Sequence, residues 1–216
     1  MQLLVSAFPA LLLGAQTTIA ASLMGIFLGV TVGVALTLAR QSSVSVLRWL
    51  VSVYVSFARG TPLFIQVLVV FFVLPELGLD IPKFYAGVIA LSLNSGAYIS
   101  EMIRGGLTAI PQGQSDAAEA LGLRRRRIWQ HIILPQVFYL ILPPLTVEFV
   151  SLVKASALLS VIGVVELTRT AQQIVAATFQ PVPIWIGVGM IYFVICFALG
   201  AVTERLERKT ALYRPA

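Results

Sequence analysis

The stretch from residue 10 to residue 39, ALLLGAQTTIAASLMGIFLGVTVGVALTLA, contains no charged side chain and is mostly apolar. As a helix it would extend about 45 Å, at roughly 1.5 Å per residue, whereas the hydrocarbon core of a bilayer is about 30 Å thick. The stretch therefore predicts one transmembrane helix that is tilted or protrudes from the membrane.

The composition of the whole chain also indicates a membrane protein. Of its 216 residues, 58% are hydrophobic and only 11% are charged, whereas a soluble domain has about 25% charged residues. The apolar stretches are long enough for helices and too long for barrel strands. We therefore predict an all-α integral membrane protein with five transmembrane helices, at about residues 10–39, 49–74, 84–103, 137–165 and 184–202.

The basic residues predict how these spans are oriented. One side of the membrane has only Lys83 and Arg169, and the other side has eleven basic residues. The eleven are Arg40, Arg48, Arg104, Arg124, Arg125, Arg126, Arg127, Arg205, Arg208, Lys209 and Arg214. The positive-inside rule places the eleven in the cytoplasm, so the N-terminus is expected outside and the C-terminus inside. Because topology accounts for the net charge of +6, we expect no nucleic-acid partner.

The longest cytoplasmic connection contains DAAEALGLRRRRIWQHIILP, residues 116–135. Good helix formers predict a short helix from Gln112 to Leu121, with Ser115 as its N-cap and Gly122 just past its end. A second short helix is expected from Arg124 to Gln130, and Pro135 should mark the entry to the next span. The Ala-rich helix could dock closely on another protein; alternatively, the segment is an interfacial loop that anchors the chain through its arginines.

Polar residues inside the spans are the remaining candidates for function, because they are costly in lipid. Arg59, next to the helix-breaking Pro62, suggests a gate or subunit contact; alternatively, Arg59 reaches the headgroups and Pro62 only kinks the span. Asn94 and Ser95, near the middle of the third span, could line a substrate path or bond to another helix. Farther along the chain, Glu148 and Lys154 are six residues apart and need partners elsewhere.

The sequence offers no catalytic or metal site. It has one histidine, His131, one cysteine, Cys196, and no glycine-rich phosphate loop. A membrane enzyme is therefore improbable, and another chain or an ion gradient must supply the energy for any transport.

The segment 116–135 resembles the EAA motif of ABC-importer permeases. Asp116, Ala117 and Ala118 stand in the EAA place, although the family usually has Glu where this chain has Asp116. Gly122 follows at the family's spacing, and Ile132, Leu134 and Pro135 complete the motif. This resemblance implies that residues 112–135 couple the chain to an ATPase.

Other motifs resemble the polar amino-acid permeases within that group. They are RGTP at residues 59–62, NSGAY at 94–98 followed by Glu101 and Arg104, LPPL at 142–145, SLVK at 151–154 and ELTR at 166–169. Glutamine permeases are the most similar, and cystine permeases are next. The cargo expected from the resemblance is thus a polar amino acid, with glutamine as the first guess.

The resemblance also implies an assembly. Residues 1–216 would be one permease domain of the type I importer fold in the bacterial cytoplasmic membrane, without a cofactor of its own. It would work with two ATPase subunits that hold ATP and Mg²⁺, a second permease, identical or homologous, and an extracytoplasmic substrate-binding protein. Its substrate path would contain Asn94, Ser95, Glu148, Lys154 and Ser156. The alternative function is a channel or an ion-coupled carrier without an ATPase.

Overall fold

A computed structural model describes residues 2–210, and all regular structure in this range is helical. The α-helices are α1 (Gln2–Arg40), α2 (Ser45–Gly60), α3 (Leu63–Glu76), α4 (Lys83–Thr108), α5 (Gln112–Ala120), α6 (Arg125–Ile128), α7 (Leu134–Ala155), α8 (Leu167–Thr178) and α9 (Pro181–Thr210). A π-helix, Trp129–Ile133, joins α6 to α7, and a 3-10 helix, Ser156–Ser160, follows α7. The all-α prediction is confirmed. Of the basic residues used for orientation, Arg214 lies outside the described residues.

The closest packing is between α1 and α4, along a seam of small residues. A Cβ atom added to Gly33 would lie 2.6 Å from Ile99 Cγ2, and one added to Gly96 would lie 2.5 Å from Val32 Cγ1. These distances are too short for any side chain, so glycine is required on both helices. Small residues that let backbones approach closely are typical of helix pairs in membranes. The α1–α4 pair is therefore the centre around which the other helices pack.

Large apolar side chains cover much of the outer surface. Phe27, Phe193 and Phe197 are each about 70% exposed, and many other large aliphatic and aromatic residues are exposed as well. A soluble protein rarely exposes contiguous apolar surface on this scale. The outward faces of α1 and α9 are therefore suited to contact with lipid.

The predicted second span is broken in two. Helix α2 ends at Gly60 and α3 begins at Leu63, and their axes differ by 115°. Pro62 supplies the N-cap of α3 in an extended conformation, because its ring fixes φ and it has no N–H to continue α2. The break was expected at this place, but residues 49–74 form a sharply bent pair rather than one straight helix.

Length and hydropathy identify three helical segments that could each cross a membrane: Leu3–Arg40, Arg125–Ser160 and Pro181–Arg205. The bent pair α2–α3 raises the number to four if it is one span. Helix α4 has 26 residues but is less apolar, because it contains buried Ser and Asn residues together with Glu101 and Arg104. The expected count of five is thus not reached by these two criteria.

The segment Arg125–Ser160 differs in its bounds from the expected fourth span at residues 137–165. Its helical structure begins at Arg125, passes through Pro135 and ends at Ser160. Pro135 does not interrupt it, because the π-helix Trp129–Ile133 directly precedes α7, and such a local adjustment lets a helix pass through a proline. Past Ser160, Gly163 adopts a φ of +77°. The chain therefore leaves the helix before residue 165 and turns towards α8.

Candidate functional site

The segment from residue 112 to residue 135 contains a short helix that ends at a glycine turn. Helix α5 is followed by Gly122 with a φ of +78°, where the Gly122 N–H donates to Glu119 O at 2.9 Å. The next N–H, of Leu123, donates to Ala118 O at 3.1 Å. This pair of bonds is the Schellman motif, which favours glycine because it needs a left-handed residue. The predicted end of the helix is confirmed.

The helix begins at Gln112, as predicted, but its predicted N-cap is wrong. The N-cap is Pro111, and no side chain caps the helix. Ser115, the predicted N-cap, lies inside the helix. Pro111 takes the N-cap place because its fixed φ suits the extended conformation observed there.

The residues of α5 divide between two faces. Ala118 is buried against its own chain, whereas Asp116, Ala117 and Glu119 are exposed. Leu121, just past the helix, is 82% exposed, which is unusual for a leucine and leaves it free to contact another protein. The surface available to a partner therefore consists of Asp116, Ala117, Glu119 and Leu121.

A side-chain hydrogen bond ties α5 to the start of α7. Gln136 Nε2 donates to Gln114 Oε1 at 2.6 Å and to Ile132 O at 2.8 Å. Ile132 lies in the π-helix, and Leu134 and Pro135 form the first turn of α7. The motif residues Ile132, Leu134 and Pro135 are thus part of the helix start to which α5 is attached.

A cavity of about 310 Å³ lies between α4 and α7 and collects several polar residues. Asn94, Ser95, Tyr98, Glu148 and Ser151 supply its polar groups. Ser95 and Glu148 interact across it, but no hydrogen bond of ordinary geometry satisfies the buried Ser95 Oγ within the described chain. Glu148 forms no salt bridge in residues 3–205. An acidic cavity with unsatisfied polar groups suits a small ligand that carries a positive group.

The two remaining residues of the expected substrate path lie elsewhere. Lys154 is exposed on another face of α7. Ser156 is fully buried and donates to Val153 O at 2.7 Å. The structure therefore brings three of the five residues, Asn94, Ser95 and Glu148, to one cavity.

Asn94 also holds the break between α2 and α3. Its Nδ2 donates to Ala58 O and to Gln66 Oε1, both at 3.1 Å. Gln66 Nε2 in turn donates to Ala58 O at 2.8 Å and to Thr61 Oγ1 at 2.9 Å. The two amides satisfy the Ala58 carbonyl group, which Pro62 leaves without an N–H partner. Because both N–H groups of Asn94 are used, only its Oδ1 is free to face a ligand.

Three arginines surround one carboxylate at the end of α4. Glu101 pairs with Arg40 of α1, with Arg59 of α2 at 3.5 Å and with Arg104 of its own helix at 2.8 Å. The expected pair of Glu101 with Arg104 is therefore part of a network that joins three helices. Arg59 also lies over the ring of Tyr98, with its guanidinium carbon 5.5 Å from the ring centroid. Because Tyr98 lines the cavity, the network borders one end of it.

Glu166 is a buried carboxylate that the sequence did not reveal as a site. It has no exposed surface and caps α8 by accepting from the N–H groups of Thr168 at 2.8 Å and Arg169 at 2.7 Å. The hydroxyls of Tyr192 at 3.1 Å and Thr18 at 3.4 Å also donate to it. Burial raises the pKa of this carboxyl group, and the hydrogen bonds act in the opposite direction. The sequence signal for this role is an acidic residue directly before a helix, where its side chain can act as an N-cap.

Three comparisons bear on the identity of the chain. The model of a family described as "binding-protein-dependent transport system inner membrane component" matches residues 25–212. The L-cystine transport system permease protein TcyB of Bacillus subtilis is 40% identical over 209 residues, which cover 96% of this chain and 89% of the relative. The glutamine transport system permease protein GlnP of Escherichia coli K12 is 37% identical over 205 residues, which cover 94% of each chain.

A solved structure of an amino acid transporter is also similar to this chain. The crystal structure of an amino acid ABC transporter with histidines contains a chain that is 36% identical to this one. The two superpose with a TM-score of 0.88 over 95% of this chain and 96% of that chain. The helices described above therefore have the same arrangement as the helices of an ABC transporter subunit.

Proposed function

The chain belongs to the family of binding-protein-dependent transport system inner membrane components, and we propose that it imports a polar amino acid at the expense of ATP. It is a permease subunit of the inner membrane. ATP is hydrolysed by partner ATPases, and a substrate-binding protein delivers the cargo. The alternative, a channel or ion-coupled carrier, has no support among its relatives.

In the proposed assembly, this chain pairs with a second permease, identical or homologous, above two ATPase subunits that hold ATP and Mg²⁺. Residues 1–216 form one permease domain with five spans, the N-terminus outside and the C-terminus in the cytoplasm. Helix α4 counts as the fifth span although its hydropathy is modest. Its polar residues Asn94 and Glu101 face α1, α2, α3 and α7 rather than lipid, and polar groups with partners are tolerated at membrane depth.

The coupling site of the proposal is α5 with the turn at Gly122. The exposed Asp116 and Ala117 contact an ATPase, while Ala118 packs inward and Gly122 sets the turn. Closure of the ATPases on ATP moves α5. The hydrogen bond that Gln136 Nε2 donates to Gln114 Oε1 passes this movement to α7, together with Ile132, Leu134 and Pro135. Because α7 also carries Glu148, the movement reaches the cavity.

The substrate site of the proposal is the cavity between α4 and α7. Glu148 attracts the amino group of the cargo, and Asn94 Oδ1 and Ser95 Oγ provide further polar contacts. Lys154 of α7 and Ser156, in the 3-10 helix that follows α7, stay in the proposed pathway outside this cavity. Arg59, stacked on Tyr98, is the cytoplasmic gate, and Pro62 makes the break that positions it.

The observation that carries the coupling proposal is the left-handed turn at Gly122, and two substitutions test it. No atom lies within 4 Å of a Cβ added there, so a substitution acts through φ rather than through space. Gly122→Val should strain the turn by about 1–2 kcal/mol, whereas Gly122→Asn should be tolerated because asparagine visits this conformation. We expect the valine variant to lose most substrate-stimulated ATP hydrolysis and uptake in proteoliposomes, and the asparagine variant to keep them.

The importer must be reconstituted with its ATPase and binding protein for this measurement. Normal uptake by Gly122→Val with intact ATPase association would refute the coupling role of the turn. The same preparation identifies the cargo, because glutamine, cystine and other polar amino acids can be compared for stimulation of ATP hydrolysis. Glutamine stays the first guess, although the cystine relative is slightly more similar in sequence than the glutamine relative.

A further inference from the structure

A polar cavity of about 600 Å³ lies where the end of α1 meets α4, α5 and α6. Its walls include Gln41, Leu107, Gln112, Glu119, Arg125 and Trp129. It is separate from the cavity of Asn94 and Glu148, and of the surface proposed to contact an ATPase it includes Glu119.

Three hydrogen-bond donors converge on this cavity without an acceptor. The side chains of Gln41 and Arg125 and the indole N–H of Trp129 bond to no other side chain or backbone group in residues 3–205. Gln41 and Arg125 are exposed and Trp129 is half-buried, so all three side chains are accessible to a ligand that enters the cavity. A ligand with several acceptor oxygens would satisfy all three.

An apolar groove of about 510 Å³ continues from the polar cavity and shares Gln41, Leu107 and Trp129 with it. The groove runs between α1 and α7, where its walls include Val34, Leu38, Ile103, Val137, Phe138 and Ile141. From Val34 to Gln41 it follows α1 for about 10 Å, at roughly 1.5 Å per residue. An apolar groove that opens into a donor-rich cavity has the two-part chemistry of a phospholipid site.

The charge around the cavity favours an anionic headgroup. Arg124, Arg125, Arg126 and Arg127 are all exposed, and they outnumber the two acidic residues of α5, Asp116 and Glu119. Glu119 lines the same cavity and weakens the attraction without reversing its sign. A two-fold related copy of the chain placed on this face would bring arginines against arginines. The basic surface therefore argues for lipid rather than for a second permease.

We propose that the cavity and groove bind one anionic phospholipid of the cytoplasmic leaflet. The headgroup phosphate accepts from Arg125, Trp129 and Gln41, and one acyl chain lies in the groove between α1 and α7. Trp129 lies at the boundary between the polar and apolar parts, which is the usual depth of tryptophan in membrane proteins. Basic pockets between helices on the cytoplasmic side are known to hold anionic headgroups.

Native mass spectrometry of the assembled importer tests the proposal without requiring transport. Purified importer is titrated with phosphatidylglycerol or phosphatidylcholine, and the lipids that stay bound are counted. We expect phosphatidylglycerol to bind more tightly. Arg125→Gln should weaken it about fivefold, the factor expected for one basic residue near an anionic group. Val34→Trp should abolish binding because the indole fills the groove.

Two control variants make the result specific. Arg126→Gln removes the same charge from a neighbour outside both cavities, and Val5→Trp adds the same side chain to an exposed position of α1 that lines neither. Val5→Trp should bind phosphatidylglycerol as the unmodified importer does, and Arg126→Gln should weaken binding less than Arg125→Gln, because it removes charge without removing a contact with the headgroup. The proposal is overturned if phosphatidylcholine binds equally well, if Val34→Trp leaves binding unchanged, or if Arg126→Gln weakens it as much as Arg125→Gln. Cross-linking of two permease copies through cysteines in the groove would also overturn it.

Discussion

At the scale of single residues, Glu166 shows how one carboxylate can join three helices. It caps α8 through two backbone N–H groups and receives hydroxyl donors from Thr18 of α1 and Tyr192 of α9. Thr18 Oγ1 in turn accepts from the Leu167 N–H at 3.1 Å. Because four groups in this buried cluster donate to Glu166, its loss leaves several donors without this acceptor.

Substitution of Glu166 tests this view. Glu166→Ala leaves two backbone N–H groups buried without an acceptor, at about 1–3 kcal/mol for each unsatisfied group. We expect a lower midpoint of thermal unfolding of the purified importer, with Glu166→Gln intermediate because it keeps one acceptor oxygen. Glu76→Ala is the matched control, since Glu76 is exposed at the end of α3. Equal midpoints for Glu166→Ala and Glu76→Ala would show that the cluster adds no stability.

At the scale of helices, the connection between α5 and α7 is narrow. It includes the hydrogen bond of 2.6 Å between Gln136 and Gln114. Removal of this bond should therefore reduce the transmission of movement from α5 to α7. We expect Gln136→Leu to lower the amount of substrate taken up per ATP hydrolysed while ATP hydrolysis itself continues. The measurement is parallel uptake and phosphate release in proteoliposomes.

Two further variants separate this effect from a general loss of structure. Gln130→Leu makes the same change at an exposed residue of the π-helix and should leave the ratio of uptake to hydrolysis unchanged. Combining Gln114→Leu with Gln136→Leu should add little to either single change, because both remove the same bond. Additive losses in the double variant would contradict a shared role.

The helices also show what the sequence could predict. The turn at Gly122 and the break at Pro62 follow from one residue each, so local rules identified both. The bonds from Asn94 to Ala58 and Gln66 and the ion pairs of Arg40 and Arg59 with Glu101 join residues 28 to 61 positions apart. No local pattern reveals such contacts, because they depend on how helices pack. The angle at the break and the size of the arginine network were therefore beyond prediction.

At the scale of the whole molecule, the bent pair α2–α3 decides the topology. Arg40 at the end of α1 and Arg59 at the end of α2 both pair with Glu101, so α2 ends at nearly the same depth as α1. The crossing then depends on α3, whose 14 residues span only about 21 Å, at roughly 1.5 Å per residue. If α3 crosses together with part of α2, there are five spans; if the pair re-enters, there are four.

Cysteine labelling distinguishes these two topologies. In a Cys196→Ala background, single cysteines replace Ser43, Leu79, Leu121 and Gln180, which all lie between or beside helices. With five spans, a membrane-impermeant maleimide should label Leu79→Cys and Gln180→Cys in intact spheroplasts, and Ser43→Cys and Leu121→Cys only after permeabilisation. A re-entrant pair would instead put residues 43 and 79 on the same side. It would also move Lys83 to the side of Arg40 and Arg48 while the arginines at 124–127 changed sides, against the positive-inside rule. We therefore expect residues 43 and 79 to be labelled from opposite sides.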